Sequence, residues 1–140
     1  MIGEVYRFRA VAYVVRRLAT VPGSVLIVDD DPSVVEALRA VLPADVEVAT
    51  AASADGAMAL LDSRAFCGMV LDVVLEQGNG FDVLRHMERH QMTVPTVVVS
   101  TKLPAYLREM LDEKQVKMLF PKPIEPRLLA AVVLGLCGVA

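Results

Sequence analysis

Val25-Leu26-Ile27-Val28-Asp29-Asp30-Asp31-Pro32 is the stretch that decides the fold. Four aliphatic residues run without a polar break, and Val25, Ile27 and Val28 are β-branched. A strand with one face in water alternates apolar and polar residues. An unbroken run belongs to a strand covered on both faces, as in parallel sheets flanked by helices. The run then meets three carboxylates. Asp31 is placed to cap a helix, with Pro32 at its first position, where the missing N–H costs nothing.

The same rhythm continues outward. Apolar runs recur at Val46–Ala49, Met69–Leu71, Thr96–Val99 and Lys117–Phe120, and helical patterns fill 32–42, 53–63, 80–90, 104–114 and 125–136. Ser53 can cap the second helix, and Pro104 and Pro126 fall where a first helical turn tolerates proline. The alternation predicts an α/β chain, a (βα)5 doubly wound parallel sheet with right-handed crossovers and helices on both faces. At 140 residues, with 55% hydrophobic and 22% charged residues, the chain is one globular domain with a substantial core.

Residues 1–23 stand outside this rhythm and are read as an N-terminal extension before a domain at 24–140. Val5, Phe8, Ala12, Val15 and Leu18 mark one side of an amphipathic helix that Pro22-Gly23 would end. Such a helix is either an accessory with little effect on the domain or a docking or membrane-surface element. It carries four arginines in the first 24 residues against Glu4, whereas the remaining chain holds ten basic and sixteen acidic side chains. That acidic body argues against direct contact with nucleic acid. The apolar stretch Ala10–Val15 is cut by Arg16-Arg17, which does not make a signal peptide, and no run of 18 apolar residues exists. Cys67 and Cys137 are read as two separate thiols of a reducing cytoplasm rather than as a disulfide.

Polar residues break the pattern at particular places. The first strand ends in Asp29-Asp30-Asp31, the third in Asp72, the fourth in Ser100-Thr101 and the fifth in Lys122 before Pro123. Doubly wound sheets bind ligands outside the carboxyl ends of their strands, so four of the five strands deliver a polar group to the functional edge. Crowded carboxylates repel one another, and a divalent cation relieves the repulsion. An all-oxygen ligand set suits Mg2+ better than zinc. Lys122 is a point charge suited to a phosphoryl group or a carboxylate, Ser100 is a hydrogen-bond donor, and an aspartate held between metal and lysine is a plausible nucleophile.

With these residues in place, the chain resembles the receiver domains of two-component response regulators. VLIVDDDP (25–32), MVLDVVLEQGNGFDVL (69–84), VPTVVVST (94–101) and LFPKP (119–123) occur in the family's order, and the resemblance runs from Val25 to about Leu136. It implies a flavodoxin-like sheet in the order 2-1-3-4-5 and a set of roles. Asp72 would be the phosphoacceptor. Asp29 and Asp30 would hold Mg2+ together with Asp72 and the backbone carbonyl of Val74, with Asp30 the more direct ligand. Lys122 would pair with Asp72 and then with its phosphate, and Ser100 would turn toward the phosphate. The Lys122-Pro123 bond would be cis. The partners implied are a histidine kinase or histidine phosphotransfer protein and a downstream protein target. Self-association would run through the face formed by 104–114, the fifth strand and the last helix, or through the extension. No enzymatic action on other substrates is implied, only self-phosphotransfer and autodephosphorylation.

This chain departs from the family's pattern at three places. Glu76 stands where a proline is usual, so the loop after Asp72 is expected to be more mobile. Leu119 stands where an aromatic residue is usual, and Thr101 where a smaller one is usual. These departures motivate a rival reading, an interaction module that keeps the fold and never uses phosphate. A Mg-dependent phosphatase is the other rival, but it would need a carboxylate two residues after the nucleophile, where Val74 stands. His86 and His90, spaced i, i+4, are read as part of a solvated helix face rather than as metal ligands. Gly78-x-Gly80 is read as a turn, because a dinucleotide fingerprint would need glycine at Val83.

Overall fold

In the computed structural model, which describes residues 23–101 and 115–138, strands and helices alternate from Ser24 to Ser100, and a strand and a helix follow from Val116. The strands are β1 (Ser24–Val28), β2 (Glu47–Ala51), β3 (Gly68–Leu71), β4 (Thr96–Ser100) and β5 (Val116–Pro121). The helices among the described residues are α1 (Pro32–Val41), α2 (Ala54–Ser63), α3 (Gly80–Arg89) and α4 (Pro126–Leu136). The strands form one parallel sheet in the order β2-β1-β3-β4-β5, as the resemblance implied. The amphipathic extension and the candidate helix at 104–114 lie outside the described residues.

Each helix begins where its sequence supplies a side-chain acceptor. Asp31 accepts the N–H of Ser33 at 3.0 Å ahead of Pro32, and Ser53 accepts that of Gly56 at 3.0 Å. Asn79 and Glu125 do the same for α3 and α4, taking the N–H of Phe81 at 2.9 Å and of Leu128 at 3.0 Å. Each cap satisfies an N–H that the helix cannot bond internally and is worth about 1 kcal/mol.

Successive strand residues point to opposite faces, so the unbroken apolar strands feed two cores. Leu26, Val28, Met69, Leu71 and Val98 face α2 and α3 and pack with Ala57, Leu61, Phe81, Leu84 and Met87. Val25, Ile27, Val70, Val97 and Val99 face α1 and α4 and pack with Leu38, Leu129, Ala130 and Val133. Leu119 joins the first core and Phe120 the second, the alternation expected of neighbours in a strand. Full burial of one such side chain contributes about 1.5–3 kcal/mol. The last helix is thus apolar because one side of it is core, while Leu128 stays exposed.

Two readings are corrected. The second strand starts at Glu47 and runs to Ala51, because the N–H of Val46 closes a turn onto the carbonyl of Pro43 at 3.0 Å. Cys67 and Cys137 are not separate thiols: they form a disulfide. Seventy residues of sequence separate them, which hides the fact that the end of α4 returns to the start of β3. Gly68 has Cys137 Sγ and Val133 Cγ2 at 3.2 and 3.1 Å from where a Cβ would stand, so glycine makes room for the helix end and its sulfur. The pairing removes lone thiols as an argument for a reducing compartment.

Closing a loop of this length restricts the unfolded chain. Reduction, or Cys67→Ser combined with Cys137→Ser, should lower the unfolding free energy by about 4 kcal/mol by the chain-entropy relation. Urea unfolding with and without reductant measures the difference.

Candidate functional site

Sheet register builds the site. Val28 is paired with Leu71, so the next residues, Asp29 and Asp72, emerge side by side at the carboxyl edge. The ladder reaches beyond the strands, with Asp29 N–H donating to the Ala51 carbonyl at 3.0 Å and Asp72 N–H to that of Val28 at 2.9 Å. On the other side Ser100 is paired with Pro121, and the next N–H, of Lys122, donates to the Ser100 carbonyl at 2.8 Å. Lys122-Pro123 is cis.

The side chains converge. Lys122 Nζ lies 2.7 Å from Asp29 Oδ2 and 2.9 Å from Asp72 Oδ2, with only 13% of its side chain exposed. Asp29 and Asp72 are each 4% exposed and Ser100 is fully buried. The remaining oxygens of the two acids accept main-chain N–H groups, Asp29 Oδ1 from Asp31 and Asp72 Oδ1 from Val74, both at 2.9 Å. Asp30 is half-buried, and its Oδ2 accepts the N–H of Glu76 at 2.8 Å. One oxygen from each of Asp29, Asp30 and Asp72 falls within 4.8 Å of the others, the ligand cluster found among the described residues.

Glycine is required on the far side of Asp72. A Cβ at Gly80 would stand 2.7 Å from the Asp72 carbonyl oxygen and 2.5 Å from Val73 Cα. The first residue of α3 therefore lies directly against the backbone that carries Asp72.

Electrostatics follow from this crowding. Burial pushes the Asp72 carboxyl above its ordinary 3.8; the hydrogen bonds of Lys122 and Val74 and the lysine charge counter part of the rise, and Asp29 adds to it. Burial alone would lower the Lys122 ammonium, but the hydrogen bonds and charges of Asp29 and Asp72 outweigh it and leave its pKa raised. Three carboxylates against one ammonium leave an excess of two negative charges, which a divalent cation would balance. Oxygens around one Mg2+ at about 2.1 Å stand roughly 3–4 Å apart, so the three acids fit this ion with slight contraction.

Asp29, Asp30, Asp72 and Lys122 come together here, with Ser100 at the end of the neighbouring strand and Val74 following Asp72 in the loop. Two contacts were not anticipated. Lys122 was expected to pair with Asp72, and it bridges Asp72 and Asp29. The loop after Asp72 was expected to be more mobile for want of a proline, and Glu76 ties it to Asp30. Thr101 is exposed and lines, with Lys122, Asp31 and Ser33, a mainly apolar cavity of about 420 Å3 between α1 and α4. The histidines of α3 are not simply solvated: His86 Nε2 lies 2.7 Å from Asp62 Oδ1 of α2, and the two imidazole centroids are 4.4 Å apart.

A carboxyl with a raised pKa binds its proton more tightly in the folded chain than in the unfolded one. Its contribution to stability is then complete below the unfolded value and lost as pH rises through the folded value. In EDTA, Asp72→Asn should match the wild type below the ordinary aspartate value of about 4 and exceed it once the pH has risen through the raised value in the folded chain. Thermal unfolding across that range checks this, and added Mg2+ should narrow the gap by stabilising the wild type.

The family model described as the response regulator receiver domain matches residues 25–134. No curated protein matches the chain. Among solved structures, a signal receiver domain from Vibrio parahaemolyticus is 18% identical with a TM-score of 0.76, over 84% of this chain and 91% of that one. A CheY-like response regulator receiver domain protein from Methanospirillum hungatei is 22% identical with a TM-score of 0.71, over 82% and 94%. The receiver domain of a sensor histidine kinase from Pseudomonas aeruginosa, with a magnesium ion coordinated in its active-site cleft, is 18% identical with a TM-score of 0.69, over 84% and 98%. At these identities the likeness to solved structures speaks for the fold alone.

Proposed function

The chain belongs to the response regulator receiver family of two-component signalling, and we propose that it is a working phosphoacceptor whose Asp72 takes a phosphoryl group from a phosphohistidine. The observation that carries this reading is the Lys122 ammonium held between Asp29 and Asp72, at the edge of a cluster of three carboxylates whose oxygens lie within 4.8 Å of one another.

In the proposed step an Asp72 carboxylate oxygen attacks phosphorus in line, the phosphorus–nitrogen bond to the donor imidazole breaks, and an acyl phosphate forms. Asp29, Asp30, Asp72 and the Val74 carbonyl would hold Mg2+. When bound, Mg2+ would neutralise charge on the transferring phosphoryl oxygens. The Val74 N–H fixes the orientation of the Asp72 carboxylate before attack. Lys122, already in a doubly paired position, would follow the negative charge from Asp72 onto its phosphate. Ser100, one residue beyond the core on β4, would donate to a phosphoryl oxygen and so bias a two-state surface.

The partners in this reading are a histidine kinase or histidine phosphotransfer protein as donor and a protein target as receiver of the signal, with no direct contact to nucleic acid. Self-association would use the segment 104–114 with β5 and α4, or the N-terminal extension. The domain would promote its own phosphorylation and dephosphorylation without turning over other substrates. A cytoplasmic location follows from such a donor, and no helix among the described residues is long and apolar enough to cross a membrane. The rival reading, a phosphate-independent interaction module, is favoured by Leu119 packed where an aromatic residue would couple to Ser100 and by exposed Thr101 beside Lys122.

Intact-protein mass after incubation with acetyl phosphate or phosphoramidate, with and without Mg2+, separates the two. The wild type should gain one phosphoryl group only with Mg2+, and Asp72→Asn should gain none. A wild type that binds Mg2+ and stays unmodified with these donors and with a phosphohistidine protein would establish the rival.

A further inference from the structure

We propose that the main-chain N–H of Glu76 is a positioning group that holds Asp30 ready for the metal. This deepens the reading of Asp29, Asp30 and Asp72 as a Mg2+ site and rests on it.

Three carboxylates make up the cluster, and two of them are held from both sides. Asp29 takes the N–H of Asp31 on one oxygen and Lys122 on the other. Asp72 takes the N–H of Val74 on one oxygen and Lys122 on the other. Asp30 has neither the burial of these two nor a hydrogen bond from the lysine among the contacts described. Its Oδ2 accepts the Glu76 N–H at 2.8 Å, across 46 residues of sequence. Without that bond the half-exposed side chain would be free to leave the cluster, and ordering it would fall to the incoming ion. With it, one oxygen is occupied by the loop and the carboxylate is oriented beforehand. A hydrogen bond to a charged acceptor is the strong kind, about twice a neutral one.

The loop can hold Asp30 because the loop is itself held. Immediately after Glu76, the Gln77 carbonyl accepts the N–H of Ala54 at 3.2 Å, and Gln77 pairs with Ser53 as an isolated parallel bridge. Gly78 then adopts φ 85°, with Ala54 Cβ 2.6 Å from where its own Cβ would be. Asp72 at one end and the first turn of α2 at the other therefore fix the position from which residue 76 donates. The Glu76 side chain is exposed and is not what the interaction uses. Any residue with an N–H could serve, and proline, which has none, could not.

Two variants at one position test this. By calorimetric titration with MgCl2, Glu76→Ala should bind within about twofold of the wild type, while Glu76→Pro should bind about tenfold more weakly, the loss of one hydrogen bond to a charged group. In metal-free protein the Glu76 amide proton should resonate downfield of its position in Asp30→Ala. Unfolding free energies in EDTA should be non-additive for Glu76→Pro combined with Asp30→Ala, because the two changes remove one bond. Equal losses for alanine and proline would assign the effect to the side chain and overturn the proposal. So would an unchanged affinity in Glu76→Pro, an unmoved amide, or additive unfolding energies. If the wild type bound no Mg2+, the metal reading would fail, and the amide shift and the unfolding cycle would still decide the Asp30 bond.

Discussion

The Lys122 ammonium, wedged between the carboxylates of Asp29 and Asp72, is the interaction on which the site depends. Two nearly buried acids side by side repel, and burial already opposes the ionisation of Asp72. A single cation within 3 Å of both lets them coexist. Geometry then does the rest. The lysine reaches them because the β4–β5 ladder continues to residue 122. The cluster stays negative by two charges even with the lysine present, an excess that a dication would balance.

That arrangement sits on a scaffold with little freedom to shift. β1 and β3 lie inside the sheet, and each alternate side chain is committed to one of two cores. A slip of one residue in β1 or β3 would exchange every side chain between the two faces and would also separate Asp29 from Asp72. Apolar packing and the register of the acids are therefore selected by the same constraint. Gly80 adds a second one, since α3 begins against the backbone of Asp72 and Val73 and leaves no room for a side chain there.

Much of this was legible in the sequence, and the reasons are local. VLIVDDDP states a covered strand, a polar strand end and a helix cap within eight residues, and the four motifs place Asp72, Ser100 and Lys122 at the same edge. The helix boundaries followed from Asp31, Ser53 and the prolines, since caps are short-range devices. What was not legible needed three dimensions. The disulfide joins residues whose sequence neighbourhoods share nothing. The Asp62–His86 pair depends on how α2 lies against α3. The bond from Glu76 to Asp30 uses a main-chain group, and the residue type only announces that an N–H exists. The second strand was started one residue early because Val46 is as apolar as a strand residue while its N–H is spent in a turn.

The disulfide also changes the chain as a topological object. From Cys67 to Cys137 the backbone is a closed covalent ring, and Asp72, Ser100 and Lys122 all lie on it, while Asp29 and Asp30 lie on the open arm that precedes it. A single peptide-bond cleavage anywhere on the ring would leave one connected molecule, with Asp72 and Lys122 still tethered to each other. A cut ahead of the ring, between Asp30 and Cys67, would instead release the acidic pair with the N-terminal piece. The two halves of the site thus differ in how a proteolytic nick would divide them.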